Sequence, residues 1–139
     1  MKPERTDEED ISVTYFRQGL PEAFKVFFFQ YYPELFSFAF LLVRDAPAAY
    51  QLSLDAFFLC WQRRADFTSD EKIKTFVFLT TRNSCMDHLR RIADPAVTDK
   101  TVSASVPPDT LPPYIMREIY AFASVGLKKY GKQEDKPGE

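Results

Sequence analysis

The sequence predicts an all-α protein: a compact helical bundle, then an extended proline-rich linker and a short terminal helix. Three observations carry this reading. Phenylalanine is abundant, 14 of 139 residues, and most of it falls between Phe16 and Phe78 at helical spacing. Strand-like alternation and paired turn signals are missing. Beyond Asp94, Pro95, Pro107, Pro108, Pro112 and Pro113 are interspersed with Ser, Thr and Val, a texture that ends regular structure. The resulting boundaries are a charged tail over residues 1–12, a helical domain over 13–93, a linker over 94–113, and a short helix with a disordered tail over 114–139.

Each element has a local cause. "DEED" and Ser12 precede a short helix that ends at Gly19. Pro21 suits the first turn of a longer helix, where a missing backbone N–H costs nothing. Pro33 falls where that helix would continue, so it either kinks it or starts a second one, "PELFSFAFLLV". This segment is apolar almost all round and is expected at the centre. Pro47 opens a helix running to about Arg64, and "ADFTSDE" is a polar loop. The next helix spans about Glu71 to Ile92. A last helix runs from about Tyr114 to Lys129, and "GKQEDKPGE" is a tail.

Composition excludes several classes. No run of about 18 apolar residues is free of charge and proline, so no membrane span is expected. The N-terminus is charged and lacks the apolar segment of a signal peptide. Cys60 and Cys85 stand alone, without CxxC spacing; they suit a reducing compartment, and a cytoplasmic location with buried thiols is expected. Gly-rich phosphate loops and paired catalytic carboxylates are absent, so no catalysis and no cofactor are expected. One His, with Cys85 and Asp87 on other sides of its helix, makes no metal site.

Charge is unevenly spread. Residues 1–60 carry five basic and nine acidic side chains, whereas residues 61–93 carry seven basic and four acidic. A positive segment inside an acidic chain points to a local anionic partner, with ordinary surface scatter as the alternative.

The stretch "TTRNSCMDHLRR" (80–91) lies in that segment. At about 100° per residue, Phe76, Thr80, Asn83, Asp87 and Arg90 share one face, with Arg91 beside it. Phe78, Leu79, Cys85, Met86, Leu89 and Ile92 are expected to fill an apolar face. A row of amide, carboxylate and guanidinium groups suits base edges and phosphates, and an aromatic at its start suits an unpaired base. The simpler alternative is a solvated helix end, with Asp87 paired to Arg90 or Arg91.

Three segments in order, "EAFKVFFFQYYPELFSFAFLLVRD", "AFFLCWQRRADF" and "IKTFVFLTTRNSCMDHLRR", resemble region 2 of the sigma-70 family, and within it the extracytoplasmic-function (ECF) subfamily. The matching positions are Ala23/Phe24, Tyr31/Tyr32/Pro33/Leu35, Phe57/Trp61 and Asn83/Asp87/Arg90/Arg91. The resemblance implies a helical domain that binds RNA polymerase core through the clamp helices of its largest subunit. It also implies recognition of the promoter −10 element as a melted non-template strand, with one base flipped into a pocket. Arg63, Arg64 and Phe67 would line that pocket, with Lys72 and Lys74 near phosphates. Phe76, Asn83, Arg90 and Arg91 would complete the DNA surface, although a ring at Phe76 more often packs than stacks.

Two departures from the family pattern matter. The helix after Pro47 usually shows A-E-D-x-x-Q-[ED] toward polymerase. Here the run is Ala49, Tyr50, Gln51, Leu52, Ser53, Leu54, Asp55, and only Asp55 keeps its charge. Tyr50, Leu54 and Phe58 form an i, i+4, i+8 stripe, expected to be an apolar partner surface with Gln51 and Asp55 beside it, or else to pack on the N-terminal segment. In addition, "LPPYIMREIY" resembles the approach to region 4, but the stretch from there to Glu139 is too short for its helix-turn-helix. The expected function is an ECF-type sigma factor, region 2 portion. The alternative is a degenerate sigma-like module that binds polymerase, an anti-sigma factor or its own copy without opening promoters.

Overall fold

The computed structural model describes residues 7–94, 96 and 110–135, with side chains over 11–94, 96 and 110–131. Among these it has five α-helices and no strand: α1 Asp7–Gln18, α2 Pro21–Val43, α3 Ala46–Gln62, α4 Asp70–Ala93 and α5 Pro113–Asp135. A single 3₁₀ turn, Arg64–Asp66, joins α3 to α4.

Local signals account for the helix ends. Asp45 caps α3 by accepting from the Ala48 N–H (3.2 Å), and Ser69 caps α4 by accepting from the Lys72 N–H (3.1 Å). Helix α1 ends in a Schellman motif: the Gly19 N–H donates to Phe16 O and the Leu20 N–H to Tyr15 O. Gly19 sits at φ +89°, a conformation in which a Cβ is strained. A Cβ there would also meet Arg64 Nε at 3.2 Å.

Helix α2 settles the choice left open at Pro33: the chain runs as one 23-residue helix through it. By length and composition α2 could cross a membrane. Instead it is the central helix, lying against α3, α4 and α5 with Phe24, Phe28 and Leu35 fully buried. Rings dominate the contacts. Phe24 stands edge-on to Phe57 at 6.0 Å and to Trp61 at 5.3 Å, and Phe28 edge-on to Phe57 at 4.9 Å. Helix α1 adds Phe16, edge-on to Phe27 at 5.4 Å and to Trp61 at 5.1 Å. Each edge-to-face pair adds about 0.5–1.5 kcal/mol beyond area burial. One buried polar link crosses the core, the Ser53 hydroxyl 2.9 Å from that of Tyr32.

Several elements differ from the sequence expectation. Helix α1 begins at Asp7, within the stretch expected to be a tail; residues 1–6 lie outside the described residues. Most of the expected linker, Pro95 and 97–109, also lies outside them, but its end is held: Leu111 is buried and Thr110 accepts a hydrogen bond from Trp61 Nε1 at 2.8 Å. The last helix is neither short nor peripheral. Its Ile115, Ile119 and Ala123 are fully buried on α2 and α3, and it continues through 131–135, expected to be tail. The i, i+4 spacing of that apolar stripe explains the docking; residues 136–139 lie outside the described residues.

Burial also sets the thiol chemistry. It pushes the Cys60 thiol up from 9.0 to about 12 and the Cys85 thiol to about 11, and it raises Tyr32 as well. All three groups are neutral in the folded chain and ionise first when it unfolds. Their contribution to stability is therefore whole below about pH 9 and is lost as pH rises through the folded values. Urea midpoints should stay level between about pH 7 and 8.5 and then fall steadily toward pH 11. A second expectation concerns the α1 turn: Gly19→Ala should destabilise by about 1–2 kcal/mol, read as a lower urea midpoint at unchanged m.

Candidate nucleic-acid and partner interface

Helix α4 docks on the core by one narrow stripe, Ile73, Val77, Thr81 and Cys85, spaced four apart and buried. The apolar face expected of its second half is not formed. Leu79 and Ile92 are exposed (54% and 62%), while Phe78, Met86 and Leu89 are half-buried at the borders. The docking stripe lies to one side of the expected apolar face, so that face is split between border and solvent. The solvent face is correspondingly broad. It carries Lys72, Leu79, Arg82, Asn83, Asp87 and Arg90. Asn83 accepts from Arg82 Nη1 at 3.4 Å, and Arg90 forms an exposed ion pair with Asp87. Arg82 is not among the site residues expected from sequence. Its signal is positional, since it neighbours Asn83 and faces away from the buried stripe. Thr80 and Arg91 are half-buried at the edge of this face.

The loop before α4 divides into a structural part and an accessible part. Phe67 is buried, edge-on to Phe76 at 5.2 Å and near Phe16 at 6.5 Å. It therefore does not line an open pocket, as expected from sequence; it closes the 3₁₀ turn onto α1. Arg64 is engaged as well. Its guanidinium lies over the Trp61 ring at 4.6 Å, and Nη1 donates to Trp61 O at 2.9 Å. Arg63 is exposed, its guanidinium 5.8 Å from the ring centroid of half-buried Phe76. Lys72 donates to Thr68 Oγ1 at 3.2 Å, and Lys74, also exposed, lies 5.9 Å from the Tyr31 ring on another side of α4. The Tyr31 hydroxyl donates to Asp70 Oδ1 at 2.7 Å, which ties the start of α4 to α2. The structure thus brings Arg63, Phe76, Lys72, Asn83 and Arg90 toward one solvent-facing side and turns Arg64 and Phe67 inward.

The α3 stripe also differs from expectation. Leu54 and Phe58 are buried, 1% and 3% exposed, and only Tyr50 keeps partial access. The cover is neither a partner nor the N-terminal segment but α5. Tyr120 reaches the Phe58 ring edge-on at 6.4 Å, and Phe58 stacks on Phe24 at 6.1 Å from the other side. Gln51 and Asp55 stay at the rim, the Gln51 amide donating to Asp55 Oδ1 at 2.9 Å. Burial raises Tyr120, and the nearby Asp55 charge raises it further; burial and Tyr120 likewise raise Tyr50. Among the described residues no three His, Cys, Asp or Glu side chains are grouped to hold a metal.

Residues 27–94 match the family model of sigma-70 region 2. The match begins inside α2, takes in α3, the 3₁₀ turn and α4, and ends at Asp94; α1 and α5 lie outside it. It supports a sigma-factor-like role in RNA polymerase binding and promoter recognition. Region 2 is a transcription-initiation family rather than a family of enzymes. No curated protein and no solved structure was found to match the chain.

The division of the loop is measurable. Phe67→Ala should cost about 3–5 kcal/mol of stability, as for a buried ring. Arg63→Ala should stay within about 0.5 kcal/mol, as for an exposed side chain. Chemical denaturation of the two variants checks both values; equal losses would mean that Arg63 too is a packing residue.

Proposed function

We propose that the chain acts as an ECF-type region 2, binding RNA polymerase core and recognising the promoter −10 element as a melted non-template strand. The observation that carries this reading is the exposed basic and amide row of α4, Lys72, Arg82, Asn83 and Arg90, lying inside the matched segment. Phosphate contacts by the cations would hold the strand, and the Asn83 amide would read a base edge. At the start of the row, Arg63 and Phe76 offer a guanidinium plane and a ring edge for a base. The clamp helices of polymerase would engage α3 through its open rim, Tyr50, Gln51 and Asp55, and would reach Leu54 and Phe58 only with α5 displaced, with Arg91 and Lys74 at the margins of the DNA path. An anti-sigma factor would compete for the same helix.

A second reading is favoured by α3 itself. The acids usual at this helix are reduced to Asp55, and Leu54 and Phe58 are covered. On that reading the domain is a sigma-like interaction module without promoter opening.

Titration of the chain bound to polymerase core with labelled single-stranded −10 DNA separates the two. On the first reading Arg90→Ala and Arg63→Ala should each weaken binding and lower the log–log salt slope by about 0.7 for every phosphate left without its cation. Asn83→Ala should cost about 1–3 kcal/mol for the preferred sequence and little for others. Identical curves for wild type and all three variants would remove α4 from DNA recognition and leave the second reading.

A further inference from the structure

We infer that α5 is an intramolecular competitor of polymerase: it occupies the partner face of α3 and must lift away before that face can be used. The inference rests on the reading of α3 as the polymerase-facing helix. Its own evidence is geometric. Leu54 lies one helical turn from Tyr50 and one from Phe58, beside Asp55. Tyr120 of α5 touches Phe58 and is close enough to Tyr50 and Asp55 to interact electrostatically with both. The α5 residue therefore lies on the side of α3 that carries Leu54, which is itself buried. Ile119, directly before Tyr120, and Ile115 and Ala123, about a turn to either side, are fully buried. No clamp helix can reach Leu54 while these side chains are in place, because protein interiors leave no room for a second layer.

The docking is latched by polar contacts at one end and by rings at the other, where Phe122 stacks on Phe29 at 4.2 Å and Tyr130 meets Phe40 at 4.8 Å. At the start of α5, Trp61 donates to Thr110, Lys25 bridges to Glu118 at 2.7 Å, and the Tyr114 hydroxyl donates to Glu22 at 3.2 Å. The Lys25 and Glu118 side chains keep 28% and 46% exposure, so this bridge is a weak, reversible latch. Toward the other end a cleft of about 340 Å³ opens between α2 and α5, lined by Phe36, Phe122, Gly126 and Tyr130 among others. There α5 approaches α2 through Gly126, where even a Cβ would stand 3.0 Å from the Phe36 ring. Among the described residues α5 shares no backbone hydrogen bond with another helix, so only side-chain contacts must break for it to leave as a unit. It would remain tethered through residues 94–112, so its return is intramolecular and a partner must outcompete a high local concentration.

The surface that α5 uncovers fits a helical partner: an apolar stripe, Leu54 and Phe58, edged by Tyr50, Gln51 and Asp55, the pattern of helix-in-groove recognition. Release of α5 would convert the region from a closed to a receptive state without any change inside α2–α4.

The test uses the full chain and purified RNA polymerase core. Ile119→Asp removes the centre of the α5 stripe, and Gly126→Leu forces α5 off Phe36; neither residue belongs to the partner face. Hydrogen exchange should show α5 amides losing protection while α2 and α4 keep theirs. Affinity for core should rise by roughly tenfold or more if α5 covers at least nine-tenths of the molecules, and adding Leu54→Glu should abolish the gain. Charge reversal supplies a variant set that leaves the core untouched. Lys25→Glu and Glu118→Lys should each raise affinity, and the double reversal should return it to the wild-type value. Equal affinity of wild type and α5-released variants, or a gain that survives Leu54→Glu, would overturn the competition while leaving polymerase binding intact. Absence of core binding by every variant, including those with α5 released, would instead remove the polymerase reading and the inference with it.

Discussion

The Trp61 indole is the point on which the arrangement of the chain depends. It is fully buried, with Phe16 of α1 and Phe24 of α2 edge-on at 5.1 and 5.3 Å. A buried indole N–H needs an acceptor, and here Thr110 supplies it from the segment leading into α5. The ring face holds the Arg64 guanidinium, and the Trp61 carbonyl accepts from the same group. One side chain of α3 thereby fixes α1, α2, the turn into α4 and the entry of α5. The position of α5 over α3 is a consequence: once Thr110 is pinned at Trp61, the Ile115, Ile119 and Ala123 stripe meets the nearest unburied apolar surface.

That surface exists because α3 carries Tyr50, Leu54 and Phe58 one turn apart. A helix showing acids and glutamine at these turns would resist an apolar cover, since burying a charge without a partner is costly. With Tyr50, Leu54 and Phe58 in place, an amphipathic helix from the same chain is a suitable cover, and covering the stripe removes an aggregation-prone patch. The apolar stripe of α3 and the docking of α5 are thus two sides of one packing solution.

Helix α4 shows the opposite balance. Its buried stripe is narrow and includes Thr81, so it contributes less apolar burial than α2 and leaves one whole side to water. The fold tolerates this because α4 is anchored at its start by the Ser69 cap and the Tyr31–Asp70 hydrogen bond. A helix held rigidly along one line and free elsewhere is a suitable platform for a charged ligand, because the cations need not rearrange to meet phosphates.

The sequence alone determined the helical class, the helix starts near Pro47 and Glu71, the phenylalanine-rich core between Phe16 and Phe78, and the row Asn83, Asp87, Arg90. These depend on spacing and on interactions within one or two turns, which are local. It also carried the three-segment pattern that the region 2 match over 27–94 supports. Tertiary structure decided the rest. A proline such as Pro33 stays inside a continuous helix when neighbouring helices hold that helix, which no local rule states. Phe67 looks like a site residue in sequence, but it turns inward because Phe16 arrives from α1, and Arg64 beside it folds back on Trp61, itself buried against α1 and α2. The Leu54 and Phe58 stripe reads as surface until a helix some sixty residues later is laid across it. Which face of a helix meets water depends on what else the chain brings there, and that is a property of long-range packing rather than of spacing.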